Sequence, residues 1–529
     1  MFVFIGRLVL AFSAAALAVA AQSLAVDKQA DLVIRSTTRL VQMSVVAQDK
    51  HGRPVVDLKK EDFQVFDKGK LRPITVFVVE AAGITSQPQS APRDTFTNQF
   101  ARTTGARSAY AVVLLDWLNT GWSDQARARQ QVVQMLDRIE RNDRVALYVL
   151  DRRLRVISEF GDNTATLLEK LATLRGDPID WGEAPAASIY DASVSSLGGA
   201  LFPNSTGVSH PAAGSNKEEQ MFLLDQRVRE TLMAFQEIAA HLASVPGRKT
   251  LIWVSAGFPL KVLWSVADGA VPNERDYNAE IGRTIQKLND ADVAVYPIDA
   301  RGLTASASAY DTIWTMKEFA LRTGGLAWYN HNDLDVGMRN ALDDIRFSYT
   351  IGFLPPEEAS NGFHNVRVNV RRPGVSLHYR EGYYLDEPSN SHPQDQRTEV
   401  VRAMASPVDS TAVPITVRAA RNRDTLMLQI SLDAGSLNFV READRWQGKL
   451  EIQARFEAAD GGQIGSITSK VVEFNMLPQT YGAALRNGLP FHIYLQIPPD
   501  ATALKELVWD VRSGKIGTLS IPLKMVTEN

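Results

Sequence analysis

Residues 110–346 alternate between short apolar segments and longer amphipathic segments, and this alternation constrains the fold more than any other feature of the chain. The first apolar segment, Tyr110-Ala-Val-Val-Leu-Leu115, has almost no polar position that could face solvent, as expected of a strand buried on both faces of a parallel sheet. The segment 217–243 places apolar residues at helical spacing, as expected of a helix that packs on such a sheet. Strands that alternate with helices predict a doubly wound, Rossmann-like α/β domain over residues 109–346.

The segments on either side of this domain have the pattern of β-strands. Residues 35–80 and 347–385 each contain a few short alternating runs, and three short strands form a poor core on their own. We therefore expect these two segments to pair, so that the α/β domain is inserted between β segments. Residues 400–529 hold only strand-like runs separated by turns, which predicts a C-terminal β-sandwich. The polar stretches 81–108 and 386–399 are interpreted as linkers.

The N-terminus indicates export. Residues 1–20 combine one basic residue, a short apolar run and the small-residue motif Ala18-Val-Ala20, which is typical of a cleaved signal peptide. An uncleaved anchor is the alternative, but the apolar run is shorter than the ~20 residues of a membrane span. No later stretch resembles a membrane span, so we expect a mature chain without one, located in the periplasm or outside the cell.

The composition excludes several classes of function. The chain has no cysteine, which excludes disulfides, thiol catalysis and cysteine–zinc sites. The formal net charge is −3, with 57 basic and 60 acidic residues, so no basic excess indicates nucleic acid as a partner. The histidines are scattered, with no pair at the spacing of a zinc hydrolase.

Four short motifs in the α/β segment carry a family resemblance. They are Leu114-Leu-Asp-Trp-Leu-Asn-Thr120, Ile189-Tyr-Asp191, Gly247-Arg-Lys-Thr-Leu-Ile-Trp-Val-Ser-Ala-Gly257 and Val295-Tyr-Pro-Ile-Asp-Ala-Arg-Gly-Leu303. These motifs resemble those of the von Willebrand factor A-type (vWA) family, and the whole chain is similar to bacterial exported vWA-related proteins. The resemblance implies a vWA-type α/β fold. It says little about function, because this fold hosts many binding roles.

The resemblance also implies where a metal site would lie. vWA domains bind a divalent cation at a metal-ion-dependent adhesion site, whose first loop reads Asp-x-Ser-x-Ser. Here Asp116 and Thr120 match that loop and Asn119 could add an oxygen, but Leu118 replaces the middle Ser and Ala256 replaces an Asp of a later loop. Because Mg²⁺ demands near-octahedral oxygen coordination, we expect a degenerate site in which Asp116, Asn119 and Thr120 are vestigial ligands.

Two interpretations of this loop remain. In one, Mg²⁺ or another divalent cation is still held by the vestigial ligands and water. In the other, which we favour, no cofactor is bound, and Asp116 or Asn119 caps the loop and the following helix through hydrogen bonds.

Partner contacts are predicted at the same edge of the sheet, where open α/β folds place their ligands. Trp117 and Trp122 flank the first loop, and Trp181 lies in a long stretch, 176–216, that has few periodic signals. Exposed together, the three would form an aromatic anchor for a partner, whereas core packing is the alternative. Ser255 is a further candidate contact. It also begins a sequence that superficially suggests a nucleophile turn, but the first glycine of that turn and a base are missing.

These patterns favour a non-enzymatic, exported module that binds an unidentified protein partner through the top edge of the vWA domain, without metal. The first alternative is a cation-dependent adhesin that recognises a carboxylate of its partner. The second is a hydrolase whose site is not recognisable from the sequence.

Overall fold

A computed structural model describes residues 40–81, 94–99, 109–136, 143–160, 164–174, 216–264, 273–303, 309–356, 362–385 and 393–528. The predicted signal peptide, most of the linker predicted at 81–108, and Trp181 with most of the stretch around it lie outside the described residues. From Leu40 onward the residues form one structural unit.

The first strands of the chain form where β-branched and aromatic residues alternate with polar ones. Their bounds are β1 (Val41–Asp49), β2 (Phe63–Asp67), β3 (Lys70–Arg72), β4 (Ile74–Ala81) and β5 (Thr95–Thr97). In β2, for example, Phe63 and Val65 are buried in the core, and the alternate residues Gln64 and Phe66 are partly exposed.

The middle of the chain forms an α/β layer structure. Its elements are β6 (Ala109–Asp116), α1 (Trp122–Leu136), β7 (Asp143–Leu150), β8 (Leu154–Ser158), α2 (Thr164–Thr173), α3 (Asn216–Leu242), β9 (Lys249–Ser255), β10 (Lys261–Trp264), β11 (Asn273–Asp276), α4 (Asn278–Asp290), β12 (Val293–Asp299), α5 (Ala309–Thr323) and α6 (Leu334–Arg346). The sheet order is β12-β9-β6-β7-β8, parallel except for β8. Every residue of β6 is buried, because helices pack on both faces of the sheet. No helix in the described ranges combines the length and the apolar character needed to cross a membrane.

Four more strands follow, and they pair with the first strands of the chain. They are β13 (Phe347–Phe353), β14 (Gly362–Val370), β15 (Val375–His378) and β16 (Gly382–Leu385). The sheet orders are β15-β1-β13-β4 and β16-β14-β2-β3. Residues from both ends of the α/β layer therefore share one apolar core, in which Val45 and Val65 lie with Tyr349, Ile351 and Val366.

The C-terminal part of the chain is mostly antiparallel β structure. Its elements are α7 (Pro393–Ala405), β17 (Ile415–Asn422), β18 (Thr425–Leu432), β19 (Val440–Glu442), β20 (Arg445–Glu457), β21 (Gln463–Met476), α8 (Pro478–Asn487), β22 (Leu489–Gln496), β23 (Ala503–Asp510) and β24 (Ile516–Pro522). One sheet has the order β22-β18-β17-β5. In the other, β20 pairs with β19, β21 and β23, and β23 pairs with β24. Apolar residues of both sheets form a common core.

The stretch 81–108, predicted to be a linker, contains a strand. β5 lies within it and pairs antiparallel with β17. The side chain of Asn98 then fixes the end of this strand, because its Nδ2 donates to the carbonyls of Ser410 and Val413 and its Oδ1 accepts from the amide of Ile415. The three residues of β5 form a strand because the edge of β17, which is distant in sequence, is free to pair with them. The local sequence therefore gave little indication of a strand.

The prediction of a linker at 386–399 and of strands alone beyond it is also wrong. Helix α7 begins at Pro393, inside the predicted linker, and α8 lies between two C-terminal strands. In α7, Val400 and Met404 are four residues apart and pack against Leu507 and Trp509. This contact stabilises a helix whose polar composition suggested a linker.

A buried polar network joins the α/β layer to the strands that flank it in sequence. Asp344 of α6 accepts a hydrogen bond from the Tyr296 hydroxyl at 2.8 Å and another from the Gln48 amide of β1. Arg248 donates to the same tyrosine and to the carbonyl of Gly324. Because Asp344, Tyr296 and Arg248 are buried, each needs its partners. The network therefore fixes β1 against α6 and β12.

The end of α3 is joined to the C-terminal part in a similar way. The amide of Thr411 donates to the carbonyl of Ala240 at 2.9 Å, and the Thr411 hydroxyl accepts from the amide of Ser244. The imidazole of His241 lies 2.7 Å from the carbonyl of Asp409. Burial would lower the pKa of His241, but the Glu159 carboxylate and this carbonyl outweigh burial and raise it.

The core between the two C-terminal sheets contains the side chain of Glu506. Its neighbours on the same face of β23, Leu504 and Val508, belong to that core. The carboxyl group is fully buried, and neither oxygen has a hydrogen-bond partner among the described residues. Burial raises the pKa of Glu506 to about 8. The side chain is therefore mostly a neutral acid at pH 7.

We expect the stability of the protein to fall between pH 5 and pH 9, and Glu506→Gln to remove much of this fall. The unfolded side chain ionises near 4.5 and the folded one near 8, so between these values the folded state keeps a proton that the unfolded state has lost. The contribution of Glu506 is full below 4.5 and is lost as the pH rises through 8, by up to about 1.4 kcal/mol per pH unit. Thermal unfolding at several pH values measures it.

The matched control for this prediction is Glu473→Gln, because Glu473 is exposed. This variant should keep the pH dependence of the wild-type protein. Identical pH profiles for the wild type and Glu506→Gln would contradict the prediction.

Candidate functional site

Three strands of the parallel sheet end in polar residues at the same edge. Asp116 ends β6, Ser255 ends β9 and Asp299 ends β12. The register pairs Asp299 with Ser255, and it pairs Leu115 with Val254, so Asp116 lies beside Ser255. Parallel strands bring these carboxyl-terminal residues to one edge, which is the usual place for a site in this kind of fold.

The Asp116 carboxylate is buried and saturated with hydrogen bonds. Its Oδ2 accepts from Asn119 Nδ2 at 2.9 Å, from Trp253 Nε1 at 2.9 Å and from Ser255 Oγ at 2.8 Å. Its Oδ1 accepts from the backbone amide of Asn119 at 3.1 Å. Burial raises the pKa of Asp116, and these donors oppose the rise because they stabilise the charged form.

Asn119 and Thr120 are held within the same loop. The Nδ2 of Asn119 also donates to Oγ1 of Thr231 in α3 at 2.7 Å. The Thr120 hydroxyl donates to the carbonyl of Asp116 at 2.6 Å and accepts from the amide of Ala256 at 3.2 Å. All three predicted vestigial ligands are thus brought together, and they serve to connect the first loop with α3 and with the loop after β9.

This arrangement does not fit a divalent cation. Such ions bind oxygen lone pairs, whereas Asp116 is surrounded by N–H and O–H donors that occupy both of its oxygens. No cluster of three or more His, Asp or Glu side chains suitable for a metal occurs among the residues that the structure describes. The geometry resembles the capping interpretation of the loop, in which Asp116 satisfies backbone and side-chain donors.

Arg227 of α3 brings a positive charge to the same region, and the sequence analysis did not identify it. Its side chain is buried, at 5% exposed. Burial lowers the pKa of Arg227, and the attraction of the Asp116 carboxylate offsets only part of that effect. An arginine remains charged even so. The sequence signal was one basic residue on the apolar face of a helix, one turn before Thr231.

Asp299 is a second buried carboxylate that the sequence analysis missed. Arg301 binds it through two hydrogen bonds of 2.9 Å, one to each oxygen. The Arg301 carbonyl in turn accepts from the guanidinium of Arg127 in α1. The signal was an aspartate at the end of a buried strand, followed two residues later by an arginine. This pair, with the Arg127 contact, fixes the first residues after β12 against α1.

The predicted partner contacts are only partly accessible. Trp122 is 61% exposed at the start of α1. Trp117 is buried in the core on one face of the sheet. Ser255 is fully buried, and its hydroxyl donates a hydrogen bond to Asp116. Ser255 has no accessible surface for a partner. The contact role of Trp117 stays a prediction, and Trp181 lies outside the described residues. A small groove lies beside Trp122, and it is also lined by Trp117, Gln125, Ala126 and Arg129.

Helix α5 exposes an apolar stripe that the sequence analysis did not recognise. Tyr310 is 71% exposed and Trp314 is 59% exposed, and Leu321 lies on the same face. The opposite face of the helix packs Met316 and Phe319 into the core. The signal was present in the spacing, because residues four and seven positions apart share one helix face.

The comparisons with known proteins concern the fold alone. No family model matches the sequence, and no curated protein matches it. Similar solved structures include an aerotolerance-related membrane protein from Bacteroides fragilis, with 13% identity, 45% of this chain and 98% of that chain covered, and a TM-score of 0.24.

Two further solved structures are described as vWA-type or as holding a metal-ion-dependent adhesion site. The von Willebrand factor type A protein from Catenulispora acidiphila has 10% identity, with 87% of this chain and 74% of that chain covered and a TM-score of 0.24. The second is proximal thread matrix protein 1 from the mussel byssus, with zinc in its adhesion site. It has 12% identity, with 44% of this chain and 47% of that chain covered and a TM-score of 0.23. vWA-type proteins are thus among the solved structures similar to this chain. At these TM-scores the likeness says nothing about the site, whose properties follow from its own geometry.

We expect Asp116→Ala to lower the free energy of unfolding by about 3 kcal/mol or more, because the buried donors Trp253 Nε1 and Ser255 Oγ lose their shared acceptor. Denaturant unfolding measures the change. Asp124→Ala, in the first turn of α1, is the control and should cost less than about 1 kcal/mol, because Asp124 makes only a long ion pair with Arg127. Similar losses for the two variants would contradict the network described here.

Proposed function

We propose that the chain is an exported, non-enzymatic module that binds a protein partner at the carboxyl-terminal edge of its parallel sheet, without a metal ion. The observation that carries this proposal is the buried Asp116 carboxylate, which is already satisfied by donors of the protein itself. The α/β domain is inserted between paired β segments, and the C-terminal sheets form a β-sandwich that acts as a spacer or a second contact.

The charge of Arg227 supports metal independence. A buried carboxylate needs either hydrogen bonds or a positive charge nearby. Asp116 has the hydrogen bonds, and the buried Arg227 guanidinium attracts it electrostatically. A divalent cation would have to displace the Asn119 amide and would meet this guanidinium, so both the ligand set and the charge oppose its binding.

The exposed apolar side chains around the edge support partner binding. Trp122 follows β6, and Leu303, Tyr310 and Trp314 follow β12, so all four come after strands that end at this edge. The loop after β9 lies close to the first turns of α5. A Cβ atom added to Gly257 would come within 3.0 Å of the carbonyl oxygen of Thr312. Trp122 begins α1 and Trp314 lies on α5, and these two helices pack on opposite faces of the sheet. Large exposed aromatic side chains are typical of binding hot spots.

Two sequence features support export. Residues 1–20 have the pattern of a signal peptide. The absence of cysteine is compatible with an oxidising compartment, where free thiols would form unwanted disulfides.

We expect Mg²⁺, Mn²⁺ and Ca²⁺ to leave the Tm of the protein within about 1 °C of its value in a chelator, because a ligand that does not bind the native state cannot stabilise it. Thermal unfolding of the wild type and of Asp116→Ala provides the comparison. A rise in Tm with one of these ions, present in the wild type and absent in Asp116→Ala, would refute metal independence and favour the cation-dependent adhesin.

We expect Trp122→Ala and Trp314→Ala each to weaken partner binding tenfold or more, as truncation of an aromatic hot spot does. Immobilised protein is exposed to the extracellular or periplasmic proteins of the source cells in the presence of EDTA, and the retained partner is then titrated against each variant. Val401→Ala, an exposed apolar side chain on α7, is the control and should bind as the wild type does. Equal affinities for all variants would exclude this edge as the binding surface.

A further inference from the structure

A short segment joins the α/β layer to the C-terminal sheets, and it is hydrogen-bonded on both sides. This junction segment comprises residues 406–411. On the side of the α/β layer, the amide of Thr411 donates to the carbonyl of Ala240 in α3. On the other side, the amide of Thr518 in β24 donates to the carbonyl of Ser410. The junction segment thus holds the two parts of the molecule together.

His241 lies in the last turn of α3, and its two ring nitrogens face two different acceptors. Nδ1 lies 2.7 Å from the carbonyl oxygen of Asp409 in the junction segment. Nε2 lies 3.6 Å from a carboxylate oxygen of Glu159, which follows β8. A neutral imidazole carries a proton on one nitrogen only, so it donates to one of these acceptors and turns a lone pair toward the other. The protonated ring donates to both.

The charged groups around this ring are mostly acidic. Glu237 lies one turn earlier on α3, Glu159 receives a hydrogen bond from the Tyr148 hydroxyl of β7, and the Asp409 carboxylate lies on the C-terminal side. Lys505 of β23 is a cation, but its ammonium group lies 3.5 Å from that same Asp409 carboxylate. The carbonyl end of α3 adds to the negative potential. The surroundings therefore favour the charged imidazolium.

Burial opposes the charge of the ring without cancelling this preference. His241 is 5% exposed, and the Phe160 ring stacks on it with the ring centroids 6.2 Å apart. Burial lowers the pKa of His241, but the Glu159 carboxylate and the Asp409 carbonyl outweigh burial and raise it above its usual 6.5. The stability that such a group contributes is complete below 6.5 and is lost as the pH rises through the folded-state pKa. The contact is therefore strongest in mildly acidic solution.

We propose that His241 is a protonation-dependent latch that holds the C-terminal sheets against the α/β layer. The charged ring binds the Asp409 carbonyl and the Glu159 carboxylate together. When the proton leaves, one of these two contacts becomes a meeting of two acceptors, and the junction segment separates from α3 more often. The latch lies away from the edge of the parallel sheet, and it does not depend on the function proposed for that edge.

Hydrogen–deuterium exchange in the full chain tests the latch. The protection factor of the Thr411 amide, corrected for the pH dependence of chemical exchange, reports separation of the junction segment from Ala240. We expect the protection of peptides from residues 406–414 to fall at least threefold between about pH 6 and about pH 9. Strand β6 in the same sample is the reference, because its amides report unfolding of the whole molecule, including the effect of Glu506.

Two variants assign the change to the latch. His241→Gln has no ring to titrate and Glu159→Gln has no carboxylate, so each should leave the protection of the junction segment nearly independent of pH. The Glu159 side chain is 46% exposed, so we expect Glu159→Gln to fold as the wild type does, whether or not His241→Gln folds. Glu169→Gln, at an exposed glutamate of α2, makes the same charge change as Glu159→Gln and should keep the pH dependence of the wild type.

Three results would overturn the proposal. They are equal changes of protection in the junction segment and in β6, a wild-type pH dependence that persists in Glu159→Gln, and loss of the pH dependence in Glu169→Gln. The first result would assign the pH dependence to unfolding of the whole chain, and the third to net charge. None of them bears on the Trp122 and Trp314 variants, so the two proposals fail independently.

Discussion

The buried carboxylate of Asp116 is the constraint on which the edge of the parallel sheet depends. A charged oxygen without water must be satisfied by the protein, and the donors that satisfy Asp116 come from its own loop and from β9. One of these donors, Trp253, also packs against Phe235 and Phe319 in the core. The position of the first loop is therefore coupled to helix packing on one face of the sheet. A change in the loop alters the packing of Trp253 in the core.

The residues at which this loop departs from the adhesion-site pattern of vWA domains serve the packing of the domain. Leu118, where the family pattern has an oxygen ligand, is buried in the core on one face of the sheet, and Trp117 beside it is buried on the other face. Ala256, where the pattern has an aspartate, uses its backbone amide to hold Thr120. Apolar contacts and internal hydrogen bonds thus hold this loop in one conformation. In a loop that binds a divalent cation, the ion does so by drawing the oxygen ligands together.

The strands and helices of the α/β layer could be predicted because each carries its own pattern. β6 is a continuous apolar run, and α3 repeats its apolar residues at helical spacing. β5 and α7 were missed because their stability comes from distant contacts, with Asn98 bonded to Ser410 and Val400 packed near Leu507. The same limit applies to the site. The sequence placed Asp116 at a strand end, but its donor Trp253 lies more than a hundred residues away along the chain, and so does Thr231, which accepts from Asn119. No local rule predicts which distant groups will meet such a loop.

The rigidity of the edge bears directly on how well it can bind. Association costs free energy for every side chain and loop that must be ordered. Here the loop after β6 is fixed by Asp116, and the first residues after β12 are fixed by the pair of Asp299 and Arg301. Helix α5 then carries Tyr310 and Trp314 on a backbone whose other face is locked in the core. Under the function proposed above, a partner that meets these side chains would order little more than the aromatic rings themselves. Preorganised apolar area would then supply the binding free energy without a metal ion.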